Sequence, residues 1–179
     1  MPNWIEGSLK IRGHRDDILR FFREGLECWS YGKDGSNMPV DQSKWLNIHP
    51  LIEEDPNGEI IISLDYSEVA SRWLYIKGTR RAFITDVEYD IYLPEVKEDS
   101  TDIVLALPVV QAWGFRLNNW VELAQKFNLD FRLYGIEQGT GFSEEIEIAR
   151  DGVVENYISS QYENHDDFVW NCPFPWMGG

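Results

Sequence analysis

The sequence predicts an α+β domain on three observations. A segment with strand period runs directly into an amphipathic helix near the start of the chain. A continuous apolar run leads into a second helix after residue 103, and three strand candidates then follow, two of them joined by Asp151-Gly152. Hydrophobic residues make up 43 % of the 179 and aromatics 14 %, enough apolar surface to offset the entropy of ordering the chain.

Along Trp4 to Arg12, Ile5, Gly7, Leu9 and Ile11 alternate with Glu6, Ser8, Lys10 and Arg12, the period of a half-buried strand, and Gly13 ends it. From Asp16 to Glu27, Ile18, Leu19, Phe22 and Leu26 recur at helical spacing, with Asp16 and Asp17 at the positive end of the helix dipole. Residues 28–58 hold Gly32, Gly35, Pro39, Pro50, Pro56 and Gly58 with Trp29, Trp45 and Leu51 between them, the composition of a long irregular insertion. Glu59 to Tyr66 reads as a strand and Ser67 to Trp73 as a helical turn. Trp73 to Lys77 and Phe83 to Leu93 read as extended segments, and Pro94 to Thr101 as a polar turn.

Ile103 to Trp113 has the near-continuous apolar character of a central strand. In the helix predicted over Leu117 to Phe127, Leu117, Trp120, Val121, Ala124 and Phe127 share a face, and Asn118 or Asn119 stands near the start as a cap. Leu129 to Ile136, Gly141 to Ala149 and Val153 to Ser159 are strands, the last two forming a hairpin through Asp151-Gly152. One domain is expected over residues 1–160 with the insertion at 28–58. An aromatic tail at 161–179 carries Phe168, Trp170, Phe174 and Trp176, which cover a groove on the domain or on a partner.

The formal net charge is −15, which opposes general nucleic-acid binding, because phosphate contacts need clustered Lys and Arg. No run of 18 apolar residues occurs and the first 25 positions form no signal-peptide core, so a cytoplasmic protein without a membrane segment is expected. Cys28 and Cys172 stand far apart without a CxxC partner, so neither a disulfide framework nor a zinc knuckle is indicated. No metalloprotease, nucleophile-elbow or phosphate-loop signature is present, and His14, His49 and His165 have no spacing that proposes a base or a ligand. The reading leans away from an enzyme, with no catalytic residue, no resident metal and no cofactor assigned.

Met1-Pro2-Asn3-Trp4, the alternating strand, Gly13 and the helix after it resemble the opening of a plasmid- and phage-borne family that carries a YubB-type ferredoxin-like domain. The segment from Ile103 through Gln111-Ala112-Trp113-Gly114, the helix with Trp120 and Phe127, the strand Asp130 to Tyr134, Glu137-Gln138-Gly139 and Phe142 resembles that family's later half. The likeness covers about half of the chain. Ile5 and Gly7 stand where members tend to carry Cys and Asn, and the insertion has no counterpart. It implies a ferredoxin-like antiparallel sheet with two helices on one face and an origin in a mobile element, and it carries over no catalytic residue.

Asp86, Glu88 and Asp90 set three carboxylates on one strand face, spaced by roughly 7 Å. Such a row suits either a solvated sheet face or a Mg²⁺-dependent nuclease. Glu145 and Glu147 repeat the pattern on the later hairpin. Lys77, Arg80 and Arg81, joined by Arg12 if the segments are neighbours, form a basic spot that either neutralises the acidic strands or grips a phosphate through guanidinium forks.

The leading expectation is a non-enzymatic accessory protein of a phage or mobile element. It binds a host protein, a nucleic-acid-binding one in the mimic reading, through an acidic surface of Asp86, Glu88, Asp90, Glu145 and Glu147 with Trp170 and Trp176, as an anti-defence inhibitor or nucleic-acid mimic. The alternatives are a nucleotide- or anion-binding module built on the basic spot, and the metal-dependent nuclease.

Overall fold

The computed structural model describes residues 3–31, 37–39, 51–54, 56, 59–63, 73–85, 91–93 and 102–171. Strand β1 (Trp4–Gly13) leads into helix α1 (Arg15–Arg20), which widens into a π-helical turn over Phe21–Gly25 and passes into β2 (Leu26–Tyr31). Short strands follow: β3 (Asn37–Pro39), β4 (Leu51–Glu54), β5 (Ile60–Ser63), β6 (Trp73–Ile76), β7 (Ala82–Ile84) and β8 (Ile91–Leu93). Then come β9 (Ile103–Ala112), α2 (Leu117–Phe127), β10 (Asp130–Glu137), β11 (Phe142–Ile148), β12 (Val154–Gln161) and α3 (His165–Asn171).

The strands form a nine-stranded antiparallel sheet in the order β12-β11-β10-β1-β9-β7-β6-β2-β3 and a three-stranded sheet in the order β4-β5-β8. This corrects the expectation of a ferredoxin-like fold with two helices on one face: the molecule is mostly antiparallel sheet with a few short helices. The correction has three local causes. The predicted helix over 16–27 is cut short, because Gly25 lies against the rings of Phe21 and Phe127 and the chain becomes extended at Leu26. The insertion at 28–58 contributes strand residues to both sheets where irregular chain is expected. At the two ends of the predicted extended segment Phe83 to Leu93 the pairing differs: Ala82–Ile84 pairs with β9, whereas Ile91–Leu93 pairs with β5 in the other sheet.

The core lies on one face of the large sheet. Ile5, Leu9 and Ile11 of β1 and Phe131 and Leu133 of β10 are buried there under α1 and the Trp120, Leu123, Ala124 and Phe127 face of α2. Ring pairs at edge-on geometry join the helical segments to each other, Phe21 with Phe127 at 5.4 Å between centroids, and α2 to the sheet, Trp120 with Phe131 at 5.6 Å. Ile60, Ile62, Ile91 and Leu93 of the small sheet belong to the same apolar cluster. Gly7 faces Gly135 across β1 and β10, where a Cβ on Gly7 would fall 1.8 Å from the Tyr134 carbonyl oxygen.

The Asp151-Gly152 turn forms as predicted, with Gly152 at φ +89° and the Val153 N–H donating to the Asp151 carboxylate at 2.9 Å. The predicted cap of α2 does not form: residue 116 precedes the helix, and the Asn119 side chain instead accepts from the Arg80 N–H at 3.2 Å. In the tail, Phe168 packs edge-on against Tyr162 at 5.7 Å, while Trp170 is 88 % exposed. Of the helical turn predicted over Ser67 to Trp73, Trp73 instead opens β6, and residues 67–72 lie outside the described residues, as do the tail residues Cys172, Phe174 and Trp176. Among the described residues no helix is long and apolar enough to cross a membrane.

Where β1, β9 and β10 end together, the Asp130 carboxylate accepts from Arg12 at 2.7 Å and from the side chain and N–H of Arg150, and Arg150 also reaches Asp102. The Arg150 guanidinium, seconded by Arg12, holds the Asp130 carboxyl far below its ordinary value of 3.8, against the opposing effect of its burial. A depressed folded-state value means stability that is present above the unfolded value and lost as pH falls below it. Urea unfolding is therefore expected to show the natural chain weakening as pH drops below 3.8. Asp130→Asn should cost about 1.5–3 kcal/mol at neutral pH, the range for a hydrogen bond to a charged group, and flatten that acid limb.

Candidate anion-binding site

Two turns meet where β1 begins and β9 ends. The β6–β7 turn supplies Arg80 and Arg81; the turn after β9 supplies Trp113; the start of β1 supplies Trp4, opposite Ala112 in the register. The Arg80 guanidinium lies 4.6 Å from the Trp113 ring centroid, and that of Arg81 lies 5.4 Å from Trp4 and 5.9 Å from Trp113. Trp113 keeps 42 % of its surface exposed, so one part of its ring is engaged by the cations and another is open to solvent. Neither Arg80 nor Arg81 has a carboxylate partner among the described residues, whereas Arg12, Arg132 and Arg150 each do.

Both turns are held in backbone conformations that side chains resist. Arg81 has φ +54° and Trp113 φ +61°; the third non-glycine residue with positive φ among the described residues is Asn128, at the left-handed cap position of α2. A bulky residue in this region costs of the order of 1–3 kcal/mol and persists only where its surroundings fix it.

Those surroundings can be traced bond by bond. Tyr75 donates to the Thr79 carbonyl at 2.7 Å, and the Thr79 hydroxyl donates to Ile76 and accepts from Ala82. Arg80 donates its N–H to Asn119, and its carbonyl accepts from Gln111 at 3.3 Å. The Arg81 carbonyl accepts from the N–H of Ala112, and Trp113 donates its N–H to Asn3.

Gln111 is fully buried, and its other terminus accepts from the Trp120 indole N–H at 3.0 Å, so one side chain ties α2 through β9 to the Arg80 backbone. On the far side, Glu144 of β11 accepts from the Phe115 N–H at 2.6 Å beneath the Trp113-Gly114 turn. Two guanidinium groups with planar donor forks beside an exposed indole can hold a phosphate or carboxylate and the flat body attached to it.

The other sequence-predicted residues lie elsewhere. Arg12 is at the opposite end of β1, about 26 Å from Trp4 at the strand rise, so Arg12, Lys77, Arg80 and Arg81 do not make one spot. Lys77 is half-buried in the β6–β7 turn, where its N–H donates to the Gly25 carbonyl. Glu145 and Glu147 share the uncovered face of β11, with Ile146 and Ile148 buried on the other, and Arg132 of β10 reaches both, at 2.7 and 3.9 Å. Asp86, Glu88, Asp90 and Trp176 lie outside the described residues. Among the described residues, no group of three or more His, Cys, Asp or Glu is placed to hold a metal ion.

Sequence reasoning finds the Arg80-Arg81 pair and misses its partners, Trp4, Gln111 and Trp113. The available signal was Trp113-Gly114 at the end of an apolar strand. No family model, curated protein or solved structure matches the chain.

Burial pushes the Glu144 carboxyl above its ordinary value of 4.5, with the Phe115 N–H and Arg116 opposing. A raised folded-state value means the folded state binds the proton more tightly, so stability is lost as pH rises from 4.5 through the raised value. Glu144→Gln keeps an acceptor without a charge and should gain on the natural chain between acid and neutral pH. Glu144→Ala, which orphans the Phe115 N–H, should lose about 1–3 kcal/mol. Urea unfolding of the three chains at both pH values checks both expectations.

Proposed function

We propose that this chain is a non-enzymatic binding module that takes a small organic anion, of the nucleotide type, at the Arg80–Arg81–Trp113 corner. The observation that carries the reading is a pair of guanidinium groups without a carboxylate partner among the described residues, in a chain of net charge −15, held over an exposed indole by two conformationally costly turns. Arg12, Arg20, Arg132 and Arg150 meet carboxylates, and Arg80 and Arg81 differ from them in lying over the rings of Trp113 and Trp4. Leaving two cations in register with an open ring costs backbone strain and gives back only about 0.5–1 kcal/mol per exposed cation–π contact. A ligand that binds both guanidinium forks and stacks on Trp113 accounts for the arrangement.

This reading stands ahead of the acidic-surface reading because Glu145 and Glu147 share Arg132, so the described acidic strand is partly neutralised. The nuclease alternative rests on Asp86, Glu88 and Asp90 alone.

Titration with nucleoside mono-, di- and triphosphates, pyrophosphate and inorganic phosphate, followed by tryptophan fluorescence and thermal shift, is the test. Saturable binding is expected, tighter for a nucleotide than for inorganic phosphate. Arg80→Gln with Arg81→Gln should weaken it by about tenfold or more with the melting temperature kept, and Trp113→Phe should remove the fluorescence response. No saturable response at about millimolar ligand would overturn the proposal.

A further inference from the structure

The far edge of the large sheet is β12, which pairs with β11 on one side and with no described strand on the other. Natural sheets blunt such edges with Lys, Pro, short strands or bulges, because the free N–H and C=O groups template further pairing. The eight residues of β12 (VENYISSQ) include no Lys, Arg or Pro. The devices present within β12 are a bulge and a charge, both at Glu155, where Glu147 pairs with Asn156 and Ile148 with Val154, so Asn156 to Gln161 remain regular and uncharged. Tyr157 and Ile158 point to opposite faces and each is 51 % exposed, which leaves apolar surface on both sides of the edge for the side chains of an added strand.

Charge selects the occupant. From residue 151 to residue 179 the chain has five carboxylates and no Lys or Arg. Asp151, Glu155, Glu163, Asp166 and Asp167 are all exposed on β12, its flanking turns and α3. A second copy would bring the same negative groups to the same edge, on top of two net charges of −15. A basic segment would pair with them. We infer that the free edge of β12 is a docking strand for an extended, Lys- or Arg-bearing segment of another polypeptide. Main-chain hydrogen bonds along Asn156–Gln161 would supply the affinity, and the surrounding carboxylates the preference for cations. This site is independent of the Arg80–Trp113 corner.

The test uses the full chain with two end-capped octapeptides, one alternating Lys with Val and the other alternating Glu with Val. The Lys peptide is expected to bind, to slow amide hydrogen exchange selectively along β12, and to weaken about tenfold or more between about 50 mM and 500 mM salt. Glu155→Lys, Glu163→Lys and Asp166→Lys combined should weaken it by a similar factor without lowering the melting temperature. Sedimentation equilibrium of the chain alone should give a monomer. Equal binding of the Glu peptide, absence of binding, or binding without protection of the β12 amides overturns the inference. Self-association that protects β12 would assign the edge to a second copy and overturn it as well.

Discussion

Strand β1 is paired along its length with β9 on one side and along most of it with β10 on the other, and the rest of the molecule is arranged around that double pairing. A strand bonded on both edges fixes the register of both neighbours at once. A slip of one residue would carry Ile5, Leu9 and Ile11 out of the core and bring Lys10 and Arg12 into it. The Gly7–Gly135 pair sharpens the constraint, because no side chain fits where β1 meets Tyr134. The two ends of β1 are thereby placed about 26 Å apart, one in the Asp130–Arg12–Arg150 network and the other in the tryptophan–arginine corner.

The two ends use arginine in opposite ways. At the Asp130 end, cations and carboxylates are matched with short contacts, and the outcome is a neutral clasp whose worth depends on pH. At the Trp4 end the guanidinium groups are placed over rings, and the surrounding hydrogen bonds go to their backbone. Gln111 shows how the chain manages this. As a fully buried amide it has to satisfy both termini, and doing so joins Trp120 of the helix layer to the Arg80 carbonyl. Packing in the core and presentation of the cations are thus coupled through one side chain.

The distribution of sign across the large sheet follows from the same topology. Lys10, Arg12 and Arg132 lie on the uncovered face of β1 and β10, within reach of Asp130, Glu145 and Glu147, so the middle of that face is mixed. Past Arg150, in the turn after β11, no Lys or Arg follows, and negative charge collects along β12 and α3. An acidic composition becomes a local property here because the chain ends its sheet with a segment that has lost its cations.

The sequence by itself determined the elements whose side chains report their own surroundings. The alternation in β1, the apolar run of β9, the one-sided face of α2 and the Asp-Gly hairpin are local patterns, and each forms within a residue or two of its predicted bounds. The extended readings at Glu59 to Tyr66 and Trp73 to Lys77 contain β5 and β6, but the strands between 28 and 58 were not legible, because strands of three or four residues carry too few side chains to establish a period, and Gly and Pro among them read equally well as loop. The clustering of Lys77, Arg80 and Arg81 was visible, but their union with Arg12 was not real, because sequence spacing does not say which end of a strand a turn will meet. Only the tertiary structure decided that Arg80 and Arg81 would face Trp113 and Trp4 while Arg12 faced Asp130, and that β12 would be the strand left at the edge. Strand order depends on long-range backbone pairing, which is set by the joint burial of apolar faces contributed from distant parts of the chain and leaves no local pattern behind it.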